Sequence, residues 1–226
     1  MPAPSLPIVL RHQTLGDLPP NLDWLHPEES AFLEGLKFEK RRHDWLLGRW
    51  TAKRCIAAFL EKERIPFNPN TLAILRGPNG APEMTFEDPV PACSLSISHR
   101  GGHAIAVVTP GKVAIGCDIE LIEPRSPAFL SDYFLEKELE TLSKVPGGQK
   151  DLYANLIWCV KESVMKATGE GMRLHPKKIL VEIPEPVSLE RWNPAYAQVD
   201  SRAASFKGEW GREGDSVFSY VSEGVT

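Results

Sequence analysis

The chain has 226 residues, 42% of them hydrophobic, enough to bury a sizeable core in one large or two small domains. Its formal net charge of −4 argues against a general nucleic-acid binder, whose footprint is basic, and no apolar run reaches the length of a membrane span. Four cysteines, Cys55, Cys93, Cys117 and Cys159, form no C-x-x-C pair, which excludes a disulfide framework or a zinc site of that kind.

Met1 to Leu10 is Pro-containing and too polar for the apolar region of a signal peptide, so a reduced, cytoplasmic, soluble protein is expected. Pro7 to Leu10 reads as a first strand and Asp23 to Lys37 as a helix. Trp45 to Leu60, entered through Lys40-Arg41-Arg42, is the longest helical pattern, its apolar positions stepping at three or four residues. Trp45 and Trp50 are expected to serve as packing. Ala73 to Leu75 and Pro82 to Phe86 read as short strands around the loop Arg76-Gly77-Pro78-Asn79-Gly80-Ala81-Pro82. Leu95 to Ser98 and His103 to Val108 read as strands joined through Arg100-Gly101-Gly102.

After Pro110-Gly111, Val113 to Ile119 reads as a strand entered from a hairpin. Glu123 to Pro127 is a loop, Ala128 to Leu135 an aromatic-rich stretch, and Glu136 to Leu142 continues it as a charged helix. Leu152 to Ala167 is a second long helix, stopped at Thr168-Gly169-Glu170-Gly171. Lys177 to Ile183 reads as a strand, Pro184-Glu185-Pro186 as a turn, and Ala204 to Trp210 with Ser216 to Val221 as a closing hairpin. Trp50-x-x-Lys53 is echoed by Trp158-x-x-Lys161, each in the longest helix of its half.

Two of these stretches carry chemistry. On a strand, residues two apart share a face, so Asp118 and Glu120 point together. On a helix, Trp158, Glu162 and Lys166 form one stripe. Bringing that face to that stripe gathers three carboxylates beside a lysine. Such a cluster needs a cation, and Mg²⁺ takes a few carboxylates together with phosphate oxygens and water. The constellation therefore reads as a Mg²⁺-diphosphate site. Cys117 and Cys159, inside the two stretches, read as small apolar fillers.

Gly116-x-Asp118-Ile119-Glu120 followed by Trp158-x-x-Lys161-Glu162-Ser163-x-x-Lys166 resembles the signature pair of the surfactin-type 4′-phosphopantetheinyl transferases. Ser96-Ile97-Ser98-His99 resembles that family's Ser-His element, and the loop from Arg76 to Pro82 its Gly-Lys-Pro loop, with Ala81 in place of the lysine. The matches run in order from about Pro27 to Lys178. The resemblance implies an α/β (α+β) fold of two similar halves related by a pseudo-two-fold. Residues 1–110 would form the nucleotide side of a coenzyme A site, and residues 111–226 would carry the metal and catalytic groups. It also implies the reaction: the phosphopantetheine arm of coenzyme A passes to a serine of an acyl or peptidyl carrier protein, releasing adenosine 3′,5′-bisphosphate.

In that scheme Asp118, Glu120 and Glu162 are the Mg²⁺ ligands, and two roles stay open for Glu162, third ligand or base for the serine proton. Lys166 is expected on a diphosphate oxygen. Lys161, about 100° round the helix from Glu162, is expected on another phosphate. Ser98 and His99 are expected at the 3′-phosphate end, with Arg76 compensating for Ala81. One of Lys40 to Arg42, taken as Arg42, is expected on phosphate. The carrier is expected to dock near residues 124–135, with no nucleic acid or membrane partner, and the length suggests a monomer. Two alternatives stand beside this reading: another Mg²⁺-dependent nucleotide-diphosphate transferase, which leaves Ser98-His99 unexplained, and a non-catalytic nucleotide-binding module.

Overall fold

The computed structural model describes residues 7–184, 192–200 and 204–224. It divides into two units, Met1–Val113 and Ala114–Thr226. Residues 111–113 stay with the first unit because Ser94 holds them: its Oγ donates to Gly111 O at 3.1 Å and accepts from Val113 N at 2.9 Å.

In the first unit, β1 (Val9–Thr14), β4 (Cys93–Arg100) and β5 (His103–Pro110) form an antiparallel sheet in the order β1-β5-β4. The β4–β5 hairpin closes through Gly101 and Gly102, at φ 60° and 82°, the positive values a two-residue primed turn demands at both positions. The long helix α2 (Glu39–Lys62) lays Ala52, Cys55, Ile56 and Phe59 into a core shared with Val9, Leu95, Ala106 and Val108. A two-stranded ribbon, β2 (Leu72–Arg76) and β3 (Pro82–Phe86), adds Leu72 and Ile74 to it. A short helix α1 (Pro27–Glu34) precedes α2.

In the second unit five antiparallel strands stand in the order β6-β10-β9-β8-β7: β6 (Ile115–Leu121), β7 (Ile179–Glu182), β8 (Asn193–Val199), β9 (Ala204–Glu213) and β10 (Ser216–Glu223). Across one sheet face lies α5 (Lys150–Ala167), whose Leu156, Val160 and Val164 share a core with Val181, Phe206, Val217 and Val221. Helices α3 (Pro127–Tyr133) and α4 (Glu136–Lys144) complete the unit.

Three expectations are corrected. The metal strand is not entered from a hairpin: β6 pairs with β10, and Pro110-Gly111 leads out of the first unit instead. A strand Asn193–Val199, left unassigned in the sequence, sits between β9 and β7. Its Pro194 masks the strand signal and is tolerated because β7 pairs only from Tyr196 onward. The charged helix does not continue the aromatic one. Phe134 is extended (φ −105°, ψ 145°), and a new helix starts where the Glu138 carboxylate accepts from Leu135 N at 2.8 Å. The turn expected at Pro184 to Pro186 reaches outside the described residues.

Each unit is built around a buried ion pair of the same design. Lys53 of α2 meets Glu29 of α1 at 2.6 Å, both side chains fully buried, and also donates to Trp24 O and Pro69 O. Glu29 in turn accepts from the start of its own helix at His26 N and from Ile74 N of β2. In the second unit Lys161 of α5 meets Glu138 of α4 at 2.9 Å and donates to Pro176 O and Ile179 O. Glu138 accepts from Leu135 N and from Val181 N of β7. Burial lowers the pKa of both lysines, and the partner glutamates oppose that shift. The Lys161 expectation is thereby overturned: its ammonium is enclosed, with Glu138 and two carbonyls as partners, and reaches no phosphate.

Candidate active site

Gly116 brings β6 to α5. A Cβ placed on it would stand 1.9 Å from Ser163 O and 2.6 Å from Ala167 N, so only a residue without a side chain lets strand and helix backbones meet here. Two further bonds lock the contact. The Ser163 and Ser219 hydroxyls lie 2.8 Å apart, and the Cys159 thiol donates to Asp118 O at 3.2 Å. Across the β6–β10 ladder, Asp118 pairs with Ser219 and Glu120 with Val217, so both carboxylates face α5.

There they meet Glu162 and Lys166. One ligand-capable oxygen each from Asp118, Glu120 and Glu162 lies within 4.8 Å of the others. Lys166 Nζ donates to Asp118 Oδ1 at 2.7 Å and to Cys117 O at 3.1 Å. Asp118 and Glu120 are buried, whereas the Lys166 side chain keeps 32% exposure. Burial pushes the Glu162 carboxyl up to about 8; Asp118 and Glu120 reinforce the shift and Lys166 opposes it. Burial alone would lower the Lys166 pKa, but Asp118 leads the neighbouring groups that outweigh it and raise it. Burial and Asp118 also push the Cys159 thiol well up, in keeping with a packing role.

A residue missed in the sequence, Arg125, also enters the cluster: its Nη2 donates to Glu120 Oε2 at 2.9 Å. Three carboxylates stand against Lys166 and Arg125, and Arg125 is shared with Glu123 at 3.7 Å, so the cluster keeps a negative balance that a proton on Glu162 reduces. Trp158 packs, as expected, with ring centroids 4.9 Å from Phe129 and 5.1 Å from Tyr133.

The first unit holds a separate basic cleft of about 290 Å³, lined by His99, Arg76, Arg41, Arg49, Trp45 and Phe32 among others. His99 stands exposed at the end of β4 and is given room by Gly48 of α2, where a Cβ would come 3.1 Å from the imidazole Cδ2. Arg49 lies over the Trp45 ring at 5.0 Å, and its Nε, buried, has no hydrogen-bond partner among the described residues. Burial lowers the Arg49 pKa to about 10, against the pull of Glu29. The Phe32 and Trp45 rings stack at 5.3 Å, and Trp45, expected only to pack, also lines the cleft.

The loop that lacks a lysine at Ala81 is shaped by its backbone, with Gly77 N donating to Ala81 O and Gly80 N to Gly77 O, both at 2.9 Å. Ser98, one residue before His99, is buried within β4. The Arg42 expectation is overturned: its guanidinium donates to Leu33 O at 2.6 Å and caps the end of α1, and its neighbour Arg41 lines the cleft. Arg41 was within reach of the sequence reading as one of three basic residues. Arg49 was hidden inside the apolar helix pattern.

The family model described as the 4′-phosphopantetheinyl transferase superfamily matches residues 114–212. Over that segment, somewhat less than half of its length, the chain is similar to that superfamily. Gly116, Asp118, Glu120, Glu162 and Lys166 lie inside the matched segment, and Arg76, Ser98 and His99 lie before it. Among curated superfamily relatives, the human L-aminoadipate-semialdehyde dehydrogenase-phosphopantetheinyl transferase is 27% identical over 191 residues, 76% of this chain and 59% of its own. The chain thus spans less than two thirds of that relative. The 4′-phosphopantetheinyl transferase HetI of Nostoc is 25% identical over 78% of this chain and 73% of its own. The 4′-phosphopantetheinyl transferase ffp of Bacillus subtilis is 33% identical over 42% of this chain and 46% of its own. The solved holo-[acyl-carrier-protein] synthase of Thermotoga maritima aligns with a TM-score of 0.40 and 18% identity, over 57% of this chain and 75% of that one.

Proposed function

We propose that this protein transfers the 4′-phosphopantetheine arm of coenzyme A to a serine of an acyl or peptidyl carrier protein, in a Mg²⁺-dependent reaction that releases adenosine 3′,5′-bisphosphate. The observation that carries the reading is the convergence of one oxygen each from Asp118, Glu120 and Glu162 within 4.8 Å, beside the Lys166 ammonium. An all-oxygen donor set fits Mg²⁺, which when bound neutralises charge on diphosphate oxygens.

The chain's own groups supply the rest. Lys166 donates to a diphosphate oxygen, its exposed fraction giving access. Glu162, its carboxyl raised to about 8, would in its deprotonated form accept the proton of the carrier serine as its Oγ attacks phosphorus and the phosphoanhydride bond breaks. In the first unit, His99, Arg41, Arg49 and Arg76 take the 3′-phosphate, and the Trp45 and Phe32 rings offer stacking surfaces to the adenine. The carrier docks along residues 124–135. There Phe129, Leu130 and Tyr133 pack inward, so the surface offered is Pro124, Ser126 to Ala128, Ser131 and Asp132. Among the described residues no helix is long and apolar enough to cross a membrane. The protein is read as a cytoplasmic monomer.

The test is incubation of an apo carrier protein with coenzyme A and Mg²⁺, read by intact mass. A phosphopantetheine-sized increase on the carrier supports the reading, and Asp118→Asn should slow it at least about 100-fold. No increase with several carriers, while nucleotide still binds, would favour a non-catalytic module.

A further inference from the structure

Arg125 is held at several points, and this decides what Glu120 offers a cation. Its Nη2 donates to Glu120 Oε2 at 2.9 Å, and its Nε to Asn155 Oδ1 at 2.6 Å. Its Nη1 lies 3.7 Å from Glu123, and the guanidinium carbon sits 4.8 Å over the Phe129 ring. Asn155 is itself pinned, its Nδ2 donating to Glu123 O and Asp151 O at 2.7 Å each. The arginine side chain is only 12% exposed. A planar fork committed in this way cannot swing off Glu120 without also breaking its part-buried hydrogen bond to Asn155 and leaving the Phe129 ring.

Asp118 is constrained alike, with Oδ1 engaged by Lys166. One oxygen each from Asp118, Glu120 and Glu162 lies within 4.8 Å of the others. The two common hard cations differ in the oxygens they take. Mg²⁺ demands near-ideal octahedral geometry with short bonds, whereas Ca²⁺ takes more oxygens at longer range and accepts both oxygens of one carboxylate.

We propose that Arg125 is a specificity-determining positioning residue. By holding Glu120 Oε2 it limits that carboxylate to one-oxygen ligation and biases the cluster toward Mg²⁺ over Ca²⁺. The inference rests on the metal reading above. Removing the guanidinium takes away the 2.9 Å bond that engages Glu120 Oε2, so that this oxygen can turn to a cation beside Oε1, which rewards Ca²⁺ more than Mg²⁺. Loss of the positive charge strengthens both alike, so the readout is the ratio of the two affinities.

The experiment is thermal unfolding of the full chain in series of MgCl₂ or CaCl₂ alone, without nucleotide, each series giving an apparent dissociation constant by linkage. Arg125→Met should shift the Ca²⁺/Mg²⁺ affinity ratio toward Ca²⁺ by about tenfold. Arg125→Lys keeps the charge but loses the fork, and should shift it part of the way. If Arg125→Met does not fold, the lysine variant decides by the same ratio. An unchanged ratio, or equal changes for both cations, overturns the role of Arg125 and leaves the metal site standing. A wild type stabilised by neither cation overturns the metal site itself, and the inference with it.

Discussion

Glu162 is half-buried among like charges, and its proton is the quantity to follow. Its folded pKa of about 8 stands above the ordinary 4.5, so the folded state favours the protonated form. That contribution to stability is fully present below about 4.5 and is lost as pH rises through about 8. Glu162→Gln mimics the protonated carboxyl at every pH. Metal-free wild type should therefore lose stability relative to Glu162→Gln across that window, by a few kcal/mol at most. Melting curves in chelator from pH 5 to pH 9 would show the gap opening; a gap that stays constant would remove the proton from Glu162. At the other end of the proposed substrate, coenzyme A carries a 3′-phosphate that dephospho-coenzyme A lacks. His99→Ala or Arg49→Met should weaken coenzyme A binding by roughly 1.5–3 kcal/mol per lost charge-assisted bond. Dephospho-coenzyme A should be nearly unaffected. Calorimetry with both ligands decides, and equal losses for the two would take these residues off the 3′-phosphate.

At the scale of elements, the β6–α5 contact positions the cluster, and Gly116 permits it. In Gly116→Ala the new methyl meets helix backbone at 1.9 Å, and neither neighbour is a flexible side chain that can turn away. Strand and helix must separate, at a cost of about 1–3 kcal/mol or more. Asp118 and Glu120 then draw away from Glu162, so the variant should also lose its stabilisation by Mg²⁺. Gly147→Ala, with nothing within 4 Å of the added carbon, is the control and should be nearly neutral. A Gly116→Ala protein that melts like wild type and still responds to Mg²⁺ would refute this account of the glycine. The signature spacing was legible as strand face and helix stripe because periods of 2 and 3.6 are local properties. That the two backbones touch was not, since nothing in a lone glycine distinguishes close approach from a turn.

Over the whole molecule, the repeated ion pair ties each long helix to the short helix and strand of its own unit. Lys53, Glu29 and Ile74 in the first unit stand as Lys161, Glu138 and Val181 do in the second, at nearly constant separation along the chain. Truncating one member leaves the other charge buried without its partner. Lys53→Ala and Lys161→Ala should each cost about 3–5 kcal/mol. Because Lys161 is enclosed, protein that remains folded in Lys161→Ala should keep its affinity for coenzyme A. Denaturant unfolding beside ligand titration tests both halves of that statement. A stable Lys161→Ala protein with weakened coenzyme A binding would restore the phosphate contact that the geometry denies.

Asp118 with Glu120, and Glu162 with Lys166, could each be assigned to one face from sequence because each pair lies on one regular element; that the two faces meet rested on the family resemblance, and an all-oxygen set suits a hard cation. Most strands and both long helices were legible for the same reason. Lys161 and Arg42 could not be placed. A lysine next to a ligand glutamate and an arginine in a basic run look alike whether they face solvent or a carbonyl cage. Only long-range packing decides, bringing Glu138 to one and the end of α1 to the other. Arg125 and Arg49 stayed hidden because their partners, Glu120 with Asn155 and the cleft around Trp45, are assembled from elements distant in the chain. Periodicity assigns a side chain to a face, but its charge partner is settled only when a second element folds against that face.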